Sequence, residues 1–439
     1  MKKIMNKIYV FMALLVVVTA CDVQEFDDLN GPEVESFEQL LTRGDLRDLV
    51  GGIFYSSRDR LGTYLDDCGV IGREYWRFSS SDPRFTGDLL GGGNAVLDNN
   101  TFYITGPWGS RYRTVKNANL ILGFLDNASG TGEFTEAEIA VTRGFLRTFI
   151  AYELLLNLNL TDEGGIRLDV SDEDNLGPFV SKTEALQGIR AILEQAITDL
   201  GQGGDFPFPL TSGFAGFNTP DTFAQASNAI AARVAAYQGD ANGVLGFLGN
   251  SFLDLNGDIN TGIYHVFSAD PTDFLNPMFF PITATTAGAR VMQPSFLTDA
   301  EAGDNRLNKV QQRADPLTLD GLTGDYLVFV YNSNLTPIGI VRNEELILLY
   351  AEANITVNPT EAVSALNIIR NSAGLANYSG ATDQASLIDE MLTQRRYSLY
   401  AEGHRWIDVR RYGRLNELPL DRPEDDVFSQ FPIPLTENQ

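Results

Sequence analysis

The run Gln394 to Arg411, QRRYSLYAEGHRWIDVRR, decides how the rest of the chain is read. Just upstream and within it, Leu387, Met391 and Ser398, with Ile388, Leu392 and Leu399 beside them, recur at helical spacing, so one stripe of a helix faces a core. Gly403 is placed to cap or kink that helix. Beyond Met391 come Arg395, Arg396, Glu402, Arg405, Asp408, Arg410 and Arg411, interleaved with Tyr397, Tyr400 and Trp406. These charges are too many for a free helix surface and too balanced in sign for a nucleic-acid patch. They imply a partly buried network of ion pairs and aromatic rings.

The same residues, followed by Phe431-Pro432-Ile433-Pro434, resemble the C-terminal signature of the SusD/RagB outer-membrane lipoproteins. Outward from them, Arg342 to Asn354 (RNEELILLYAEAN) and Ala362 to Gly374 (AVSALNIIRNSAG) look like the helix pair that precedes this signature. The order of the pieces carries the resemblance, and no single piece would. It implies a mainly α fold: a tetratricopeptide-like helical-repeat scaffold of about four degenerate helix pairs, with long irregular loop excursions. Periodicity alone supports only "mostly helical", because no clean 34-residue repeat is visible.

At 439 residues the chain is longer than one core usually serves, yet no linker divides it. The formal charge is −26, and −29 once Lys2, Lys3 and Lys7 are removed with a leader. Nucleic acid is thereby excluded as a partner. The three lysines precede an apolar run, Ile8 to Val18, too short to span a bilayer and suited to a signal peptide over residues 1–20. It ends Val18-Thr19-Ala20-Cys21, similar to a bacterial lipobox, so Cys21 is the expected lipidation site and the protein would hang from the cell outer membrane by its lipid. Asp22, Glu25, Asp27 and Asp28 resemble an export tag to the cell exterior. Residues 21–35 read as an acidic tether and 36–439 as a single SusD-like domain. Cys68 then has no intramolecular partner and reads as a buried thiol.

In chain order, Ser36 and Gln39 suggest a capping box opening a first helix that Gly51-Gly52 interrupts. Residues 73–78, Arg-Glu-Tyr-Trp-Arg-Phe, read as an aromatic and charged loop. Helices are expected over Trp108 to Leu125, Glu136 to Leu158, Ser181 to Leu200 with Thr183 as cap, and Thr222 to Gln238. Trp108, Tyr112, Ala118 and Asn119 match residues common in the SusD-like family. Residues 201–221 and 241–337 are different, rich in Gly, Pro, Asp, Asn and Thr, and too long for structureless loops unless functional. The resemblance implies that such excursions carry the ligand site.

A carbohydrate site needs aromatic faces for C–H surfaces and planar polar side chains for hydroxyl pairs. Arg73, Tyr75 and Trp76 have that mix and lead the candidates. Trp108 follows, and Tyr264 and Arg290, with Phe279 and Phe280, form a weaker set. Trp406 belongs to the signature and reads as structural. Asp254, Asn256, Asp258 and Asn260 alternate like a calcium loop, but Gly257 and His265 fall at the wrong positions, so a solvated turn is expected and no metal site. With only His265 and His404, zinc sites and Ser-His triads lack material. No cofactor is implied.

The expected function is therefore binding and not catalysis. The resemblance implies a cell-surface lipoprotein that captures an oligo- or polysaccharide and delivers it to a SusC-like TonB-dependent transporter. Peptide capture and a passive lid on the transporter are the alternatives. The anionic body leans the ligand towards neutral glycans unless Arg73, Arg77 and Arg84 offset the field.

Overall fold

A computed structural model of the chain describes residues 41–172 and 174–438. The expected signal peptide, Cys21, the acidic tether and the Ser36–Gln39 cap all fall outside them.

Helices dominate, and half of the described α-helices begin at a side-chain cap. Helix α1 (Arg43–Ser56) starts at Thr42, which exchanges hydrogen bonds with Asp45. It runs straight through Gly51-Gly52, because Leu46, Val50 and Ile53 keep one stripe buried across the pair. Helix α2 spans Leu61–Ile71, α3 Phe102–Ala128 and α4 Glu136–Thr161. Arg43 forks onto Glu138 at 2.8 and 2.9 Å and so ties α1 to the first turn of α4. Helix α5 (Lys182–Leu200) is capped by Ser181 and not Thr183: the Ser181 hydroxyl accepts from Glu184 N–H, and the Glu184 carboxylate accepts from Ser181 N–H. Helices α6 (Pro220–Tyr237) and α7 (Ala241–Leu248) follow.

Successive helices α3 to α7 pack each on the next, and after an excursion α9 (Asn343–Val357), α10 (Pro359–Ser372) and α11 (Gln384–Ser398) do the same. This is the mainly α, tetratricopeptide-like scaffold expected. Small residues set the closest approach. A Cβ on Gly144 would stand 2.8 Å from the Ala196 carbonyl oxygen of α5, so α4 and α5 can touch only with glycine there.

The excursions are better ordered than their composition suggests. Residues 201–221 bury Phe208, Phe214 and Phe217 against the scaffold. Residues 241–337 open with α7 and then build strands. Strand β4 (Gly262–His265) pairs antiparallel with β8 (Ile338–Arg342), which leads into α9. A four-stranded sheet runs β1 (Tyr75–Arg77), β5 (Arg290–Met292), β7 (Leu322–Val328), β6 (Val310–Leu319), with a two-stranded pair β2 (Ile166–Arg167) and β3 (Phe179–Val180) elsewhere. The 73–78 stretch is thus in part a buried edge strand and not a free loop. Backbone pairing with β5, which composition cannot show, recruits it. A short helix α8 (Ser295–Thr298) follows β5.

The C-terminal signature forms the expected network around α12 (Arg405–Arg411). Arg395 pairs with Asp408 at 2.7 Å, and Arg411 with Glu352 at 2.8 Å and Asp408 at 3.1 Å. Burial alone would raise the Asp408 carboxyl, but Arg395 and Arg411 outweigh it and hold Asp408 below the usual carboxylate range. Trp406 is wholly buried, donates Nε1–H to the Phe428 carbonyl at 2.8 Å, and meets the Phe431 ring edge-on at 5.8 Å. Gly403, at φ +81°, makes the turn between α11 and α12.

Candidate functional site

Of the six candidate ligand residues, five lie in the interior. Arg73 is 1% exposed and donates to four carbonyls, of Val70, Leu90, Pro419 and Asp426, at 3.2, 3.0, 3.1 and 2.6 Å. Tyr75 is fully buried on β1, its hydroxyl on the Leu65 carbonyl at 2.9 Å. Trp76 donates Nε1–H to Asp421 at 2.7 Å. Arg290, opposite Arg77 in the β1–β5 register, forks onto Asp66 at 2.6 and 2.8 Å and donates to the carbonyls of Pro277 and Met278. Trp108 donates to Glu437 at 2.8 Å, with Tyr112 edge-on at 5.1 Å and Phe179 parallel at 6.3 Å. Arg73, Tyr75, Trp76 and Arg290 do come together, as a knot that fastens β1 to β5 and to the tail of the chain. A side chain whose donors are spent on carbonyls and whose face is covered offers nothing to a sugar in this conformation.

Tyr264 is different. It stands half-exposed on β4 and lines a cleft of about 260 Å³ where the excursion folds back on the signature. Its lining includes Asn260 and Tyr264, Pro337 and Gly339, Arg342, Glu344 and Glu402, and Arg306, Lys309 and Ser372. The β4–β8 pairing sets Tyr264 across from Gly339, and the missing side chain there leaves the tyrosine ring uncovered. Arg342 holds Glu402 with two hydrogen bonds, at 2.7 and 3.1 Å, and also reaches Glu344 and the Ser398 carbonyl. Lys309 donates to that same carbonyl.

Burial alone would push the Glu344 carboxyl up, but Arg342 and Lys309 outweigh it and hold it below the usual range. Burial lowers the Lys309 ammonium, only partly offset by Glu344 and Glu402. The cleft therefore presents an aromatic face beside fixed donors and acceptors, the composition that matches hydroxyl pairs on a ring. It is small beside the ~300 Å³ or more of a drug-sized site, so it suits one residue of a longer chain.

Sequence reasoning missed Arg342, Glu402 and Lys309. Glu402 sits inside the signature and Arg342 in the preceding helix pair, both read as scaffold, and nothing in the sequence says that β8 brings them beside Tyr264. Among the described residues no group of three or more His, Cys, Asp or Glu could hold a metal ion. In the 254–260 stretch, Asp254 accepts from Asn256 N–H and Asp258 from Asn260 N–H, both at 2.9 Å, as in solvated Asx turns. His265 and His404 are pushed down by burial to about 3 and about 4, so both are neutral at physiological pH.

Comparison with known proteins places this geometry. Residues 332–433 match the model of the SusD family. A SusD-like protein of Formosa agariphila is 36% identical over 103 residues, a match that spans 20% of this chain and 20% of that relative. Solved structures extend the likeness in fold. A SusD superfamily protein from Parabacteroides distasonis superposes with a TM-score of 0.69 at 16% identity, and one from Bacteroides vulgatus with 0.68 at 15%, each over 91% of this chain and 97% of the other. A laminarin-binding SusD-like protein gives 0.64 at 16% identity over the same shares. Residues 332–433 thus carry the sequence match to the SusD family, and over nine-tenths of its length the chain has the fold of SusD superfamily structures.

Proposed function

We propose that this protein is a non-enzymatic glycan-capture lipoprotein of the cell surface. It is anchored to the outer membrane through Cys21, binds an oligo- or polysaccharide reversibly, and hands it to a SusC-like TonB-dependent transporter. The observation that carries the reading is the shared fold, along nearly the whole chain, with a protein that binds laminarin. The Tyr264 cleft supports it with a place of suitable chemistry, and the ligand site is assigned there. Among the described residues no helix is long and apolar enough to cross a membrane, which accords with an anchor outside them. The excursions would face ligand and the helical scaffold the transporter.

Calorimetric titration against a panel of neutral and acidic oligosaccharides tests the reading, with Tyr264→Ala and Trp76→Phe run in parallel. The expected result is binding to one glycan class, weakened about tenfold by loss of the Tyr264 ring, an effect of about 1.4 kcal/mol, and unchanged by Trp76→Phe. Binding to peptides and to no glycan would overturn it.

A further inference from the structure

Arg405, at the start of α12, is the guanidinium that the C-terminal network leaves over. Its neighbours are matched: Arg395 with Asp408, Arg396 with Asp299 at 2.9 Å, Arg411 with Glu352, and Arg414 with Asp389 at 2.5 Å. Arg405 donates Nε–H to the Gly72 carbonyl at 3.1 Å, and among the described residues its two Nη atoms have neither an ion pair nor a hydrogen bond. It lines a cavity of about 290 Å³ between α11, α12 and the turn at Glu417.

Tyr397 lines the same cavity. It is 2% exposed, and among the described residues its hydroxyl has no hydrogen-bond partner. The guanidinium groups of Arg306 and Arg396 each lie 5.5 Å from the ring centroid, contacts that help hold the ring in place. A buried hydroxyl left unpaired is rare and costly. Here it shares a cavity with an arginine whose donors are also unspent. Two such donors call for one acceptor, and an anion answers both.

The carboxylates on the cavity wall do not fill that role. Asp299, Asp389 and Asp408 are each held by another arginine, and Glu417 leans towards Arg414 at 3.8 Å. Glu74, which Arg405 feels across a longer gap, is pushed up to about 8 by burial, so it is largely protonated at neutral pH and leaves the arginine uncompensated. The remaining wall includes the apolar side chains of Leu392, Val409 and Leu418. A concave recess with one cationic end and an apolar side fits a ring that carries a carboxylate.

We propose that this recess is a second binding site, taking the carboxylate of a sugar acid such as a hexuronate. Arg405 receives the carboxylate through its Nη atoms, the Tyr397 hydroxyl donates to it, and Leu392, Val409 and Leu418 meet the C–H face of the ring. The recess shares no lining residue with the Tyr264 cleft, so the inference stands apart from the assignment of that cleft.

Titration calorimetry of the full chain with galacturonate, glucuronate, galactose, glucose and acetate tests it. The uronates are expected to bind and the neutral sugars not. Tyr397→Phe should weaken uronate binding about fivefold or more and leave the melting temperature unchanged, since that hydroxyl has no partner in the protein to lose. Arg405→Lys should weaken binding about tenfold through loss of the fork, and where that variant fails to fold, Tyr397→Phe decides alone. Tyr264→Ala should leave uronate binding intact even if it abolishes glycan capture at the cleft. Equal binding of neutral and acidic sugars would overturn the proposal, as would unchanged affinity in Tyr397→Phe or a lowered melting temperature there. Acetate binding as tightly as the uronates would overturn the assignment to a sugar acid.

Discussion

The β1–β5 knot and the Tyr264 cleft are made of the same residue types. Each holds aromatics, arginines and carboxylates within a few ångströms, and from composition alone the knot is the richer of the two. The difference lies in what is already bonded. In the knot, Arg73 spends its donors on four carbonyls, Arg290 on Asp66 and two more, and the Trp76 indole N–H on Asp421. In the cleft, Arg342 and Glu402 are paired, but Tyr264 keeps an open face and, among the described residues, Lys309 has one hydrogen-bond partner for three possible bonds. A binding site is distinguished by unspent capacity and not by the presence of suitable groups. That statement can be broken at several points.

The largest effect is expected where the knot is cut. Arg290→Ala leaves the Asp66 carboxylate, 5% exposed, with the longer contact to Arg77 at 3.3 Å as its one remaining ion pair among the described residues. Breaking a buried pair on one side costs about 3–5 kcal/mol, to be read from urea or thermal unfolding. The double replacement Asp66→Leu with Arg290→Met should lose less than Arg290→Ala, because no charge is then stranded. If Arg290→Ala instead spares stability and abolishes glycan binding, the assignment of the two regions is reversed.

A second expected effect separates the regions by pH. Glu74, in the knot, is raised to about 8 by burial, whereas Glu344, in the cleft, is lowered because Arg342 and Lys309 outweigh burial. Between the unfolded carboxylate value near ~4.3 and about 8, the folded chain keeps a proton on Glu74 that the unfolded chain has lost. Stability from this group is therefore fully present below ~4.3 and lost as pH rises through about 8. Glu344 acts in the other direction, its contribution present above ~4.3 and lost on acidification. Glu74→Gln should flatten the decline between pH 5 and 8, seen as a smaller drop in unfolding midpoint over that range. Glu344→Gln should leave this decline in place.

Much of the scaffold was legible, for identifiable reasons. Helical stripes such as Leu186, Ile189 and Leu193 in α5 survive any context, since 3.6-residue spacing fixes the buried face. The ion-pair and aromatic network of the signature was legible because its charges balance and need partners. The short strands were not. Tyr75-Trp76-Arg77 becomes a strand through pairing with Arg290-Val291-Met292, more than 200 residues away, and no local pattern carries that contact. The candidate site was hidden for the same reason. Tyr264 was found as an aromatic in the excursion, but Arg342, Glu402 and Lys309 join it only through the β4–β8 register and the turn before β6. Arginine beside tryptophan, the strongest local cue, marked the place where the chain is fastened.

The smallest effect on stability is expected at the residue proposed to matter most for ligand. Tyr264→Ala removes a half-exposed ring whose hydroxyl, among the described residues, donates only to the nearby Asn260 carbonyl. Little buried surface is lost and no charge is stranded, so the cost should stay near or below about 1 kcal/mol. Trp76→Phe, by contrast, keeps the apolar bulk and removes one donor from Asp421, at about 1–1.5 kcal/mol. The two variants thus sit close together on an unfolding curve while their binding should differ about tenfold. Stability alone would not tell them apart, and affinity alone would not show that Trp76 is structural. If both lose affinity together, the cleft and the knot form one coupled unit, and the division by unspent donors fails at the point where it was drawn most sharply.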